Sequence, residues 1–260
     1  MTAVAILNQN PKERVSVIIP AYNEEPRIGA VLSAVSSSDL VDEIIVVDDS
    51  TDKTSQVARS FSKVKVIRNQ RNLGKTQAVL KGAKAAQREI ILLLDADIAN
   101  LKTEGVEAMI VPVLEDRADM TISYRMGQPF FNKYIIWAQP FVSGERCLHK
   151  GDFLKIEGLN RAEGFELEVL CNHDYLKKKR RIVIVTLEDV CDPFKYQKYS
   201  FVQGWTRDLT MCFNLVTRFG LMEIFKQMFL ICLRFQVIRL TQNTNLKPVA
   251  LYLDHVTSGL

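Results

Sequence analysis

The chain has 260 residues, 47% of them hydrophobic and 25% charged, and its formal net charge is +4. These values are ordinary for a soluble globular protein, and the length allows one large α/β domain. Five scattered cysteines without a C-x-x-C pair argue against a disulfide framework or a zinc site. The sequence begins without a signal-peptide pattern, and no apolar run is long enough to span a bilayer. We therefore expect a cytoplasmic protein with free thiols and no nucleic-acid partner.

Short apolar runs alternate with helical patterns along the first half of the chain. Strands are predicted at 15–19, 43–47, 64–68 and 90–94, each followed by a helix. This alternation with short loops predicts a mostly parallel sheet flanked by helices. The first strand is expected to stop at Pro20, because proline cannot donate to a sheet ladder.

The most informative strand end is that of the run I-I-L-L-L-D-A-D, which closes with Asp95 and Asp97. Ligands of open α/β sheets collect outside the carboxyl ends of the strands. Hard divalent cations such as Mg²⁺ prefer oxygen ligands, and two such carboxylates can share an ion that also binds diphosphate. A surface turn explains an isolated D-x-D pair as well, so the other strand ends decide between the two interpretations.

Two other strand ends also carry polar side chains that could face a ligand. Tyr22, Asn23 and Glu24 follow the first strand, and Asp48 and Asp49 follow the second. Because the carboxyl ends of parallel strands meet at one edge of a sheet, these side chains should lie near the D-x-D pair. Random surface turns would not place them so consistently.

Two helix starts have a structural explanation beside a functional one. Ser50, Thr51 or Asp52 is expected to cap the helix that follows the second strand, and Asp52 is the favoured structural residue. Gly74 and Lys75 stand at the amino end of the next helix, where free N–H groups favour anions. The Walker spacing is absent, so the alternatives there are a phosphate contact and a plain turn.

Four motifs, in order over residues 15–125, resemble the signature of family 2 glycosyltransferases with the GT-A fold: V-S-V-I-I-P-A-Y-N-E, E-I-I-V-V-D-D-S-T-D-K-T, R-N-x-G-K and L-L-L-D-A-D. The resemblance implies that Mg²⁺ or Mn²⁺ and the donor diphosphate are bound by Asp95 and Asp97. It also implies that the nucleotide base and ribose are held by Pro20, Tyr22, Asn23, Glu24 and Asp49. Lys75 joins this set as a substrate-binding candidate.

The acceptor side rests on a looser resemblance. Arg125 follows a strand predicted around 119–123, and it resembles the arginine that lipid-phosphate glycosyltransferases place after this strand. An arginine can bind a phosphate through two hydrogen bonds. Residues 139–156 resemble the acceptor segment of dolichyl-phosphate mannose synthases and, less closely, of glucosyl-3-phosphoglycerate synthases. The resemblance implies that Ser143, Gly144 and Arg146 lie near the acceptor and the transferred sugar.

A catalytic carboxylate is expected after this segment, on a helix that carries Glu163, Glu166 and Glu168. An attacking hydroxyl needs a base, and we assign that role to Glu166, whereas an ionised phosphate acceptor needs none. Lys198 is a candidate for the diphosphate. Relatives often keep a histidine near Lys198 and a glutamine at the place of Ala99, and this chain has neither.

The last part of the chain, from about 200 to 240, has a helical pattern with a wide apolar face. Its polar face is predicted to carry Glu223, Lys226, Gln227 and Arg234. The apolar face either packs in the protein or in a homodimer, or it lies in a membrane interface. The basic run at 177–181 is either a solvated helix end or a contact for anionic lipid or phosphate.

We therefore predict one α/β domain of the GT-A type with a helical C-terminal tail. Its parts are an N-terminal extension at 1–14, a nucleotide-sugar half at 15–125, an acceptor half at 126–199 and the tail at 200–260. The predicted activity is hexose transfer from a nucleotide-diphosphate sugar to a polyprenyl phosphate at the cytoplasmic face of a membrane, which the chain would contact peripherally. The alternatives are transfer to a soluble phosphorylated acid and a GT-A-like binding protein without turnover.

Overall fold

The computed structural model describes residues 14–125, 139–187, 190, 215–234 and 236–239. Within these, the strands are β1 (Val15–Ala21), β2 (Val41–Asp48), β3 (Val64–Arg68), β4 (Ile90–Leu93), β5 (Met120–Arg125), β6 (Arg146–His149), β7 (Ile182–Leu187) and β8 (Gln236–Arg239). The helices are α1 (Ile28–Ser36), α2 (Thr54–Arg59), α3 (Lys75–Ala85), α4 (Thr103–Leu114), α5 (Gln139–Val142), α6 (Lys150–Phe153), α7 (Glu166–Lys177) and α8 (Leu221–Arg234). A short 3₁₀ turn lies at Leu159–Arg161.

One mixed sheet, in the order β3-β2-β1-β4-β6-β5-β7-β8, organises the described chain. All neighbouring strands are parallel except β6, which runs antiparallel to β4 on one side and β5 on the other. Its first residue, Arg146, pairs with Leu93 and with Ile122. The predicted mostly parallel α/β sheet is confirmed, and the segment predicted to serve the acceptor supplies the strand in its middle.

The first strand is longer than predicted, since β1 continues through Pro20 to Ala21. The carbonyl of Ile18 accepts a hydrogen bond from Leu94, so residues 18 and 20 both direct their backbone groups toward β4. β4 ends at Leu93 and pairs with β1 only as far as Ile18. The missing N–H of Pro20 therefore faces a place where the ladder has already stopped, and proline is tolerated there.

Both faces of the sheet are covered by apolar side chains, as a parallel sheet requires. On one face Val17 and Ile19 pack in a cluster with α1 and α4. On the other, Ile18 and Ile45 pack with α3 and α7. A third, smaller cluster joins α5, α7 and β7 to the C-terminal segment through Phe141, Val169, Ile184, Leu215 and Ile231.

The C-terminal segment differs from the predicted continuous helix. Residues 215–219 are helical and α8 follows, but Gln236–Arg239 forms strand β8 parallel to β7. Two β-branched residues, Val237 and Ile238, favour the strand, and β7 offers an unpaired edge to it. Of the helices within the described ranges, none has both the length and the apolar character needed to cross a membrane.

The basic run at 177–181 contributes to ion pairs with neighbouring acids. Arg181 lies 3.0 Å from the carboxylate of Asp119, and Arg180 lies 3.3 Å from that of Asp152. Hydrogen bonds and charge from its acidic neighbours raise the pKa of Arg181 above its usual range. These contacts favour the interpretation of the run as a solvated helix end.

Candidate active site

The loops after β1, β2 and β4 meet at one edge of the sheet because these strands are adjacent and parallel. Backbone hydrogen bonds continue past the strand ends, with Asp49 N–H donating to Ala21 at 3.0 Å and Leu94 N–H donating to Ile18 at 3.0 Å. The carboxylates and carboxamides singled out in the sequence are thereby collected around one crevice edge.

Asn23 fixes the first loop against the second. Its backbone adopts a φ of 58°, in the left-handed region that asparagine tolerates better than most residues. The Asn23 N–H donates to Ser50 Oγ at 2.7 Å, and its Oδ1 accepts from the Thr51 N–H at 3.0 Å. These contacts hold the loop after β1 against the loop after β2.

The neighbours of Asn23 differ in what they offer a ligand. Glu24 is buried, and its Oε2 accepts from Arg27 Nε at 2.6 Å. Tyr22 leaves 49% of its surface exposed, which is unusual for an aromatic ring, and Pro20 is partly exposed between the buried residues Ile19 and Ala21. Tyr22 is therefore the side chain of this loop best placed to contact a ligand, and Glu24 shapes the loop.

The two adjacent aspartates after β2 have different surroundings. Asp48 is fully buried and accepts from the Ser50 N–H at 2.9 Å and from the Ser55 hydroxyl. Asp49 accepts from Asn69 Nδ2 at 2.6 Å and from the Leu73 N–H at 2.7 Å. Asp48 thus stabilises its own turn, whereas Asp49 orients the loop that leads to Lys75.

Asp52 stabilises the start of α2, although Lys53 occupies the formal N-cap position. Its Oδ1 accepts from the Thr54 N–H at 3.0 Å and its Oδ2 from the Glu25 N–H at 3.2 Å. Burial raises the pKa of Asp52, but these hydrogen bonds outweigh it and hold the pKa below its usual range. Asp52 thus joins two loops, in agreement with a structural role.

The centre of the site is a lysine between two carboxylates. Lys75, the first residue of α3, places its Nζ 2.8 Å from Asp95 Oδ1 and 3.1 Å from Glu168 Oε1. Burial would lower the pKa of Lys75, but the charges of Asp95 and Glu168 outweigh it and raise that pKa above its usual range. A charged ammonium thus lies directly at the D-x-D pair, at the amino end of a helix.

Gly144 brings the backbone of the α5–β6 loop against this centre. A Cβ built on Gly144 would lie 2.4 Å from Lys75 Nζ and 3.1 Å from both carboxylate oxygens of Asp95. A side chain is therefore excluded unless the ion pair moves. The sequence predicted Gly144 near the acceptor and the transferred sugar, and that role stays a prediction.

We expect Gly144→Ala to lower turnover by at least about tenfold, since a displaced ammonium or carboxylate loses a positioned electrostatic contact. Gly151→Ala is the matched control, because a Cβ at Gly151 would meet nothing within 4 Å. Steady-state rates for both variants test this, and equal rates would show that the approach of Gly144 does not matter.

A buried polar network lies behind Gly144. Glu145 Oε2 accepts from the hydroxyls of Ser123 at 2.6 Å and Ser143 at 2.8 Å, and it lies 3.6 Å from Arg125 Nε. Glu145 itself is completely buried, and its second oxygen has no hydrogen-bond partner within the described part of the chain. Glu145 therefore holds Arg125 and Ser143 in position. Ser143 influences the site through this network of hydrogen bonds.

Arg146 is a fully buried cation whose hydrogen bonds are internal. Its guanidinium donates to the Ser143 carbonyl at 3.0 Å, the Asn172 side chain at 2.7 Å and the Phe141 carbonyl at 3.4 Å. Burial lowers its pKa below the usual range. These contacts tie the α5–β6 loop to α7, so Arg146 positions that loop, in contrast to the acceptor contact predicted from the sequence.

The carboxylate that α7 brings to the site is Glu168. Glu166, which we predicted as the base, accepts from the Glu163 N–H at 2.9 Å and lies 2.5 Å from Arg218 on the C-terminal segment. Glu168 is completely buried and contacts Lys75, and its Oε2 has no hydrogen-bond partner among the described residues. Successive helix positions differ by about 100°, so residues two apart point to different sides. The base role assigned to Glu166 stays a prediction, while Glu168 is the glutamate of α7 that contacts Lys75.

The D-x-D turn fits a divalent cation by its chemistry. Asp95 and Asp97 follow β4 directly, and both side chains are partly exposed at the edge of the sheet. Within the described ranges, no three or more of His, Cys, Asp and Glu are grouped to hold an ion. Two carboxylates completed by water and substrate oxygens match the way proteins bind Mg²⁺.

Lys198 lies outside the described residues, so its predicted role remains a prediction.

A mixed α/β sheet whose carboxyl edge gathers carboxylates and a lysine fits the GT-A type of fold predicted from the sequence. The family model for glycosyl transferase family 2 matches residues 16–166, more than half of the chain. The chain therefore belongs to glycosyltransferase family 2.

Curated relatives match over less than half of the chain. Dolichol-phosphate mannosyltransferase of Pyrococcus furiosus is 33% identical over 135 residues, 47% of this chain and 38% of that protein. The 4,4'-diaponeurosporenoate glycosyltransferase of Staphylococcus aureus is 38% identical over 109 residues, 40% of this chain and 29% of that protein. These matches span half or less of the relatives' lengths.

Solved structures match over most of the chain. Glucosyl-3-phosphoglycerate synthase from Mycobacterium tuberculosis, with Mn²⁺, UDP and glucosyl-3-phosphoglycerate, superposes with a TM-score of 0.65 at 19% identity, covering 88% of this chain and 85% of that one. The same enzyme with Mg²⁺ and UDP gives 0.66 at 20% identity, covering 88% and 84%. The likeness confirms the GT-A fold predicted from the sequence.

Proposed function

We propose that this chain transfers a hexose from a nucleotide-diphosphate sugar to a phosphorylated acceptor, with Mg²⁺ or Mn²⁺ bound at Asp95 and Asp97. The observation that supports it most is the position of Lys75, 2.8 Å from Asp95 at the carboxyl edge of the sheet and in contact with the Gly144 backbone region. A lysine, a D-x-D pair and a helix amino end together favour a diphosphate.

Each part of the site has a chemical task in this proposal. The bound cation would neutralise the charge that develops on the leaving diphosphate. Lys75 supplies a second positive charge to the same oxygens, and Glu168 holds its ammonium in place. Tyr22 offers its exposed ring to the base, and Asp49 orients the loop beside the ribose.

The favoured acceptor is a polyprenyl phosphate. Arg125 is buried, and the Glu145 carboxylate beside it holds its guanidinium in position. The phosphate of an incoming acceptor would meet this positioned guanidinium. The similarity to the dolichol-phosphate mannosyltransferase of Pyrococcus furiosus supports a lipid-phosphate acceptor. A soluble phosphorylated acid is the second candidate, supported by the synthase structures solved with phosphoglyceric acid.

A screen of nucleotide sugars by thermal shift, with and without Mn²⁺, tests the proposal. A ligand at 100 times its Kd stabilises the folded protein by about 2.7 kcal/mol, so the true donor should raise the melting temperature clearly. The expected result is one preferred donor whose effect needs the metal. If no nucleotide sugar shifts the transition in the presence of Mn²⁺, the proposal fails.

Asp49 and Asp52 make a matched pair for the nucleotide side of the site. We expect Asp49→Ala to weaken binding of a nucleoside diphosphate, because it releases the loop from Asn69 and Leu73. Asp52→Ala should mainly cost about 1 kcal/mol of folding stability, since it removes hydrogen bonds at a helix start. Calorimetric titration and thermal melting separate the two effects, and unchanged affinity in Asp49→Ala would overturn the assignment.

A further inference from the structure

Helix α8 exposes its apolar side chains and buries part of its polar face. Gln227 is almost completely buried, and Glu223 is half-buried with its Oε1 2.9 Å from His173 on α7 and 3.0 Å from Gln227 Nε2. The sequence analysis placed both residues on the polar face of the helix. Ile224, Met228 and Ile231 on the same side pack against the third apolar cluster, so this orientation is fixed by several contacts.

The outward side of the helix forms a continuous apolar stripe. Eight large apolar side chains are exposed in the described part of the chain, and four of them lie here: Leu221 at 52%, Met222 at 81%, Phe225 at 53% and Phe229 at 57%. We refer to these four residues as the α8 face. Scattered exposed apolar residues are normal, but a contiguous stripe indicates an interaction surface.

The size of the α8 face argues against a second protein chain as its partner. Large apolar side chains bury roughly 200 Å² each, and these are about half exposed, so the face offers on the order of 400 Å². A stable protein interface buries about 800 Å² on each partner. A lipid surface needs no such area from one face, because binding grows with each apolar side chain that enters the interface.

The charges beside the face point to an anionic partner. Lys226 is exposed next to Phe225, whereas Glu223, the acid of the same helix, is turned toward His173. Amphipathic helices with aromatic and aliphatic residues beside lysine bind in the plane of anionic membranes.

We infer that the α8 face docks on an anionic lipid bilayer. The helix then lies parallel to the membrane, with Phe225 and Phe229 below the headgroups and Lys226 at their level. The polar partners of α8 stay on the protein side, where His173 and Arg218 hold the C-terminal segment to α7. This docking does not depend on the proposed transfer activity, because it uses residues outside the candidate active site.

Vesicle flotation tests the inference without any substrate. The full chain should float with vesicles of phosphatidylcholine and phosphatidylglycerol at low ionic strength, and floating should decline with added salt. Phe225→Ser with Phe229→Ser should reduce the bound fraction by at least about tenfold, given what burial of apolar side chains contributes to partitioning. Leu154→Ser, an exposed leucine outside the α8 face, is the matched control and should float like the wild type.

Two outcomes would overturn the inference. One is a wild-type chain that stays with the soluble fraction at low ionic strength. The other is a double variant that melts like the wild type and floats equally well. If sedimentation shows a dimer that the double variant dissociates, and no vesicle binding occurs, the α8 face belongs to a contact between copies and not to lipid.

Discussion

Asp97→Ala should lower turnover by at least about 10²-fold while the protein remains folded, because a lost charge-stabilising contact in a transition state has typically that cost. Asp97 lies in the turn after β4 and is partly exposed, so its removal leaves no cavity in the core. Steady-state rates at saturating donor and metal measure the effect. Asp97→Ala with more than about a tenth of the wild-type rate would contradict metal-assisted departure.

Asp95→Ala should be nearly as severe, but its interpretation differs. Asp95 also holds Lys75 at 2.8 Å, so its loss affects the ammonium as well as a bound cation. Asp52→Ala provides the control for removing a carboxylate near the same edge of the sheet. We expect Asp52→Ala to keep its turnover at temperatures where it is folded.

Glu168→Gln should lower turnover by about 10²-fold and destabilise the fold by about 1–3 kcal/mol, because it removes a buried charge paired with Lys75. Glu166→Gln is the matched control on the same helix. Glu166 pairs with the partly exposed Arg218, so its replacement should change turnover by less than about threefold.

Rates and melting temperatures of the two glutamine variants decide the assignment. We expect Glu168→Gln to lower turnover more than Glu166→Gln does. A larger loss in Glu166→Gln would restore the sequence-based assignment and would imply that α7 turns when substrate binds.

The strands and their ligand edge were predictable because buried parallel strands have a strong local signal. The run at 90–94 is apolar on both faces, and Asp95 and Asp97 follow it at once, so neither prediction needed long-range information. The helix predicted after this strand is also present, at Thr103–Leu114. Only the ends of the strands differ from the prediction. β1 continues through Pro20 because the neighbouring strand β4 stops pairing earlier, so the missing N–H of Pro20 loses no hydrogen bond.

Features that depend on how distant segments meet were not predictable. The antiparallel insertion of β6 depends on a pairing between Leu93 and Arg146, more than fifty residues apart, and no local pattern specifies it. The choice between Glu166 and Glu168 depends on the rotation of α7. The spacing of Glu168, Cys171, Asn172 and Tyr175 places them on one side of a helix, but the sequence does not show that this side faces the protein.

The orientation of α8 was not predictable for a related reason. Its apolar residues surround most of the helix, so a helical wheel cannot tell which arc faces the protein. The orientation of α8 is fixed by contacts such as that of Glu223 with His173 on α7. These two residues lie 50 positions apart in the chain. Sequence periodicity describes a helix by itself, whereas burial depends on its neighbours.

The most direct test is metal-dependent release of nucleoside diphosphate from the donor that the thermal-shift screen identifies, measured with and without a phosphorylated acceptor. The account predicts release by the wild type with Mn²⁺ or Mg²⁺, loss of release with a chelator and loss in Asp97→Ala. A chain that binds the donor but releases no nucleoside diphosphate with either acceptor class would instead be a binding protein without turnover. Release that is unchanged by a chelator and by Asp97→Ala would contradict the role assigned to the D-x-D pair.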